Sequence, residues 1–200
     1  MTTLGVTGGI GSGKSAACRI FEELGARVVY ADVEAKQLMH QDSALRAAIT
    51  EAFGSESYDA EGRLNRPHLA ARVFGDATQV ARLNALVHPR VRERMLALID
   101  KARADGTDLL VYEAALLFET GADRVLDHVA VVDAPIDTRI ARVVERDGVT
   151  REAVLARMQH QLPAADLRRR ADFVIENDGD LTHLRAQVEA LYRRFTSAPA

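Results

Sequence analysis

The stretch Gly8-Gly-Ile-Gly-Ser-Gly13-Lys14-Ser15 constrains this chain more than any other. It matches Gly-x-x-x-x-Gly-Lys-Ser/Thr, a spacing that four specified positions reach by chance in ~1% or less of chains this long. Leu4 to Thr7 is a short apolar run that reads as a buried strand. From Lys14 the period changes: Ala17, Ile20, Phe21 and Leu24 recur at helical spacing, and Gly25 is placed to end the helix. A glycine-rich turn between strand and helix brings backbone N–H groups close around an anion. The amides of Gly11, Ser12, Gly13, Lys14, Ser15 and Ala16 are expected to form that ring, with the helix dipole behind them. Lys14 adds a mobile charge suited to the β- and γ-phosphates of ATP, and Ser15 a hydroxyl ligand for Mg2+. Cys18, inside the helix, reads as a small packing residue.

The rest of the chain alternates strand and helix. Arg27–Tyr30, Asp108–Glu113, His128–Asp133 and Asp172–Glu176 are apolar runs, two of them continuous enough to be buried on both faces of a parallel sheet. Helices are expected over 33–53 with a break near Gln41–Ser43, from Pro67 to about Ala104, over 136–146 and 150–160, and over 180–195. Val91, Met95, Leu98, Ile99 and Ala102 form one helical stripe, and Pro67 and Pro89 each fit the first turn of a helix. The fold expected is α/β: a doubly wound parallel sheet of the P-loop NTPase type, one domain over 1–200. Its core covers about 1–32, 106–136 and 171–200, with a helical insert at about 54–104 and a helical lid at about 137–165.

A phosphoryl-transfer site needs charge stabilisation and a group that orients the acceptor hydroxyl. Ligands of open α/β sheets bind beyond the carboxyl ends of the strands, where Asp32, Glu113 and Asp133 fall. Asp32 is either the acceptor-facing carboxylate or the N-cap of the helix over 33–40. Glu113 is placed to hold Mg2+ through water, while Asp133 either does so or caps the Ala134-Pro135 turn. Residues 139–170 carry eight arginines against four acids. Arg142 and Arg146, four apart, share a helix face and suit a lid hinged at Asp147-Gly148 that closes over a triphosphate. Arg168, Arg169 and Arg170 read as a solvated, ion-paired face.

These residues resemble the dephospho-coenzyme A kinase family nearly end to end. Thr7–Ser15 is similar to its phosphate loop, Ala31-Asp32 to the end of its Asp-Ala-Asp, and Asp59–Arg66 with Leu69, Val73 and Phe74 to its Gly-x-Leu-x-Arg segment. Leu83–Pro89 resembles its Leu-x-x-x-x-His-Pro, Leu116–Glu119 its Leu-Leu-Phe-Glu, and Arg142, Arg146–Gly148, Gln161, Ala171-Asp172 and Asn177 follow in order. The resemblance implies transfer of the ATP γ-phosphate to the ribose 3′-hydroxyl of dephospho-CoA, the last step of coenzyme A synthesis. It implies Asp32 as general base, with Lys14 and Arg142 also catalytic. It further implies ATP contacts from residues 11–16, Arg142 and Arg146, and an acceptor side that includes Asp32, Arg66, His88, Leu116 and Glu119. The chain departs from the family at Tyr30, where Asp is usual, at Ala115 for Pro, at Glu113 for Asp and at Arg139, where Gln is frequent.

Composition narrows the alternatives. A net charge of −3 argues against bulk nucleic-acid binding, and one cysteine excludes an internal disulfide framework. The start lacks the charged and apolar regions of a signal peptide, and there is no run of 18 apolar residues, so a cytoplasmic protein without a membrane partner is expected. The six histidines lack the spacing of a zinc site. A kinase for another small molecule or a nucleoside would share the same core. A guanine-dependent switch would need Asn-Lys-x-Asp, and Asn177-Asp-Gly-Asp180 lacks the lysine.

Overall fold

A computed structural model describes residues 1–73 and 75–197. Phe74 and the last three residues of the expected core lie outside the described residues. The chain forms two compact units, one of Met1–Tyr30 with the chain from Ile99 onward, the other of Ala31–Leu98.

The first unit is built on strands β1 (Thr2–Thr7), β2 (Arg27–Tyr30), β3 (Leu109–Glu113), β4 (His128–Asp133) and β5 (Phe173–Glu176). They form one sheet in the order β2-β3-β1-β4-β5, and each pairing is parallel. Parallel strands need crossover connections, which cover both faces and explain the unbroken apolar runs of β3 and β4. Leu4, Val6, Leu109, Val111, Ala130, Val132 and Ile175 bury one face against helices α1 (Lys14–Glu23) and α9 (Leu181–Thr196). Phe21, Leu184 and Val188 close that layer. Cys18 is buried within it, and burial pushes its thiol pKa up, so it stays a neutral packing group. Because β1 is central and its neighbours are reached in opposite chain directions, the loop after Thr7 lies at the switch point of the sheet.

Three further helices belong to this unit: α6 (Ile136–Asp147), α7 (Arg151–Met158) and α8 (Ala164–Arg170). Gly148 ends α6 in the left-handed region, and Thr150 caps α7 by accepting from the Ala153 N–H. Ile140, Val143 and Val154 form a small core that also takes in Ile10 and Met158. Helix α8 is an addition to the helices expected from the sequence. Leu167 is its one buried residue, so it presents no stripe for periodicity to detect.

The second unit contains α2 (Ala31–Gln41), α3 (Ser43–Phe53), α4 (Arg66–Val73) and the larger part of α5 (Ala77–Ala104). Asp42 accepts from the Leu45 N–H and so starts α3 at the expected break. Leu45, Ile49, Phe53, Leu69 and Val87 make its core. Pro67 is the second residue of α4, as expected, but Pro89 is not at a helix start: it lies inside the 28-residue α5. An interior proline costs about 3 kcal/mol by removing a donor and crowding the carbonyl four residues back. Here that carbonyl belongs to Ala85, an exposed residue, so solvent can replace the missing donor. Met95, Leu98, Ile99 and Ala102 are buried along the expected stripe, and their packing holds the helix continuous.

Candidate active site

The phosphate loop leaves β1 at Thr7 and enters α1 at Lys14. Gly13 precedes α1 with φ 97°, a left-handed conformation, and no side chain caps the helix. A Cβ on Gly13 would fall 1.9 Å from Asn177 Nδ2, so both conformation and space require glycine. Asn177 is buried and donates from Nδ2 to Ser12 O at 2.7 Å, tying the loop to the end of β5. Of the expected amide ring, the Ser12 N–H donates to Gly9 O at 3.1 Å and the Ala16 N–H to Gly13 O at 2.9 Å. The Lys14 ammonium donates to Gly8 O at 2.8 Å and so is held across the loop.

Arg142 on α6 faces the same loop. Its Nη2 donates to Asn177 O at 3.1 Å, while its Nη1 is buried without a hydrogen-bond partner. Ser12 Oγ and Thr7 Oγ1 are likewise buried without partners. A buried donor left unmade costs about 1–3 kcal/mol, so an orphan guanidinium nitrogen beside a phosphate loop marks a place prepared for an anion. Arg146 is on the same helix but elsewhere in its bonding: Nε and Nη2 hold the Asp147 carboxylate at 2.7 and 3.1 Å. That bond raises the Arg146 pKa and holds Asp147 below the usual carboxylate range, with Arg157 as a second partner of Asp147.

Glu113 ends β3 beside Val6 and is buried, so its carboxylate stands at the sheet edge from which the phosphate loop departs. Tyr30 pairs with Glu113 in the register of β2 and β3. Burial, reinforced by Cys18, Glu22 and Glu113, pushes its phenol pKa up, so Tyr30 stays protonated where the family more often has a carboxylate. Asp133 accepts from the Ala134 N–H at 2.9 Å, the turn-capping alternative, and its other oxygen meets Arg168 at 3.0 Å. Arg168 also binds Glu176, and these two acids raise its pKa. Arg169 pairs with Asp166, and Arg170 covers the Phe118 ring. Glu119 accepts from the Leu162 N–H at 3.1 Å, and Leu116 is half-buried in the turn after β3. Among the described residues there is no cluster of three His, Cys, Asp or Glu that could cage a metal. The hard oxygens of Ser15 and Glu113 nevertheless suit Mg2+, which keeps waters and takes phosphate oxygens rather than an all-protein cage.

In the second unit Asp32 is exposed in the first turn of α2. It is the second residue of that helix, not the residue before it, which removes the N-cap alternative. Arg66 opens α4 and is exposed. His88 is half-buried on α5, and burial holds its pKa below the ordinary 6.5. Between that lowered value and 6.5 the unfolded chain binds more protons than the folded one, so stability rises with pH across the window and is lost as pH falls through it. Urea midpoints at pH 5 and 7.5 are therefore expected to differ more for the native chain than for His88→Gln. Equal pH dependence in the two would remove His88 from this role.

Three side chains that the motif reading left without a role meet the loop. Arg139, Gln161 and Asn177 bond Ile10 or Ser12 across 129, 151 and 165 residues. For Arg139, the departure from the family's usual Gln was the available signal.

A parallel sheet with a Gly-rich loop, a lysine held across it and a buried arginine donor beside it defines a P-loop nucleotide-binding protein of the kinase type. The sequence profile of dephospho-CoA kinase matches residues 2–183. A dephospho-CoA kinase of Salinibacter ruber is 55% identical over 192 residues, 96% of each chain. Among solved structures, TT1252 of Thermus thermophilus matches with a TM-score of 0.80 at 34% identity, covering 98% of each chain. Dephospho-CoA kinase of Campylobacter jejuni matches with a TM-score of 0.74 at 25% identity, covering 97% of this chain and 96% of that one. The chain belongs to the dephospho-CoA kinase family.

Proposed function

We propose that this chain transfers the γ-phosphoryl group of ATP to the ribose 3′-hydroxyl of dephospho-CoA, giving coenzyme A and ADP. The observation that carries the chemistry is the orphan Arg142 Nη1 beside an intact phosphate loop. Family membership over residues 2–183 supports the acceptor. Arg66, His88, Leu116 and Glu119 are assigned to acceptor binding.

In this reading the 3′-oxygen attacks the γ-phosphorus, the bond to the β,γ-bridging oxygen breaks, and ADP departs. Asp32 orients the hydroxyl and takes its proton. Lys14 and Arg142 balance charge on the transferring group and on the leaving diphosphate. Arg146 joins them only when its pair with Asp147 opens. Ser15 and, through water, Glu113 would hold Mg2+, which supplies charge neutralisation on the β- and γ-oxygens. The reading calls for two small-molecule substrates and neither nucleic acid nor membrane. A buried free thiol at Cys18 supports a reducing, cytoplasmic setting, and among the described residues no helix is long and apolar enough to cross a membrane.

ADP release from MgATP, measured with and without dephospho-CoA and with the product weighed, tests this directly. Release stimulated by dephospho-CoA, with a product one phosphate heavier than the acceptor, is expected. Release indifferent to dephospho-CoA, with phosphorylation of a nucleoside or small alcohol instead, would replace the acceptor.

A further inference from the structure

The peptide of Ile10 is held from three sides. Arg139 Nε donates to its carbonyl at 3.0 Å, and Gln161 Oε1 accepts from its N–H at 2.8 Å. Its side chain packs with Ile140, Val143 and Val154 in the core between α6 and α7. Arg139 is buried, which lowers its pKa against the opposing pull of Asp133, and such burial of a guanidinium is costly without a partner. Its guanidinium occupies the space a side chain at position 9 would need: a Cβ on Gly9 would fall 1.9 Å from Arg139 Nη2. Gly9 does not hold a left-handed φ, so space, not backbone conformation, excludes a side chain there. On another side Arg139 borders an open cavity of about 930 Å3, also lined by Pro135, Met158 and Gln161, so packing alone leaves that flank of the loop unbraced.

We infer that Arg139 is a positioning residue for the phosphate loop: with Gln161 it clamps the Ile10 peptide and keeps Gly9–Gly11 in the shape that receives a triphosphate. Arg139 acts through the loop, which separates it in role from Lys14 and Arg142. The clamp also makes the loop and the α6–α7 arm one mechanical piece, because Arg139 lies on α6 and Gln161 just past α7. This inference rests on the nucleotide half of the proposed function and not on the acceptor.

The test is a double-mutant cycle read by calorimetric ATP binding, with thermal melting recorded for each variant. Arg139→Ala is expected to weaken ATP about tenfold, the loss of one charge-assisted hydrogen bond. Gly9→Ala keeps the arginine but pushes its guanidinium off Ile10, and is expected to cost a similar factor. The double variant is expected to be no weaker than either single one by more than about twofold, because both remove the same contact. Arg139→Lys is expected to recover part of the affinity by donating to the same carbonyl. Additive losses in the cycle, or native ATP affinity in a folded Arg139→Ala, would overturn the clamp. A native chain that binds ATP but ignores dephospho-CoA overturns the acceptor and leaves this cycle fully readable; one that binds no ATP overturns both.

Discussion

Lys14→Ala is expected to lower turnover about 10³-fold and to weaken ATP binding as well, with little change in melting temperature. The ammonium is the one mobile charge that the loop itself carries, and it is already positioned by Gly8 O at 2.8 Å. When phosphates enter, it is available to their oxygens from the position it already holds across the loop, so the cost of organising the site falls on folding and not on reaction. Removing it leaves Arg142 facing the bound phosphates with half the local charge. Affinity and rate should both fall, because Lys14 meets the phosphates before transfer as well as during it. Lys14→Arg is expected to recover little, since a planar fork does not replace a compact charge in a closed loop. Calorimetric ATP binding beside single-turnover ADP formation separates the two effects. Unchanged turnover in Lys14→Ala would transfer the charge role to Arg142 alone.

Much of this arrangement was legible in the amino-acid order, for reasons that differ by element. Strands β3 and β4 are buried on both faces, so Leu109–Tyr112 and Val129–Val132 appear as unbroken apolar runs. Helix α1 was marked by its own stripe and by Gly25, which takes φ 100° after the helix ends. Helix α8 escaped notice because Ala-Ala-Asp-Leu-Arg-Arg-Arg has a single apolar anchor, and Pro89 was taken for a helix start because local propensity says so. Tertiary packing of Met95, Ile99 and Ala102 outweighs that propensity. The phosphate loop was legible because its residues are contiguous. Its supports were not: Arg139, Gln161 and Asn177 reach it from more than 120 residues away, and only the fold sets those distances. Arg146 shows the opposite case, a residue whose helical spacing placed it beside Arg142 but whose bonding goes to its neighbour Asp147.

Asp32→Asn is expected to leave ATP affinity and folding nearly intact while cutting the chemical step by about 10² or more. The substitution is close to isosteric and removes one negative charge. In the first turn of α2 that charge interacts favourably with the helix dipole by less than about 1 kcal/mol, and Asp32 is exposed, so the fold should absorb the change. Asparagine can still accept a hydrogen bond from the acceptor hydroxyl but cannot take its proton, so dephospho-CoA should bind with little loss while transfer slows. The protonated phenol of Tyr30, two residues earlier, offers no carboxylate to substitute for it. The diagnostic result is a fall in the single-turnover rate at saturating ATP and dephospho-CoA, with both dissociation constants within a few-fold of native. Were the rate to stay native, Asp32 would be reduced to a favourable charge at the start of a helix. Hydroxyl activation would then rest on the phosphate oxygens themselves, with Glu113 at the neighbouring strand end as the next carboxylate to replace.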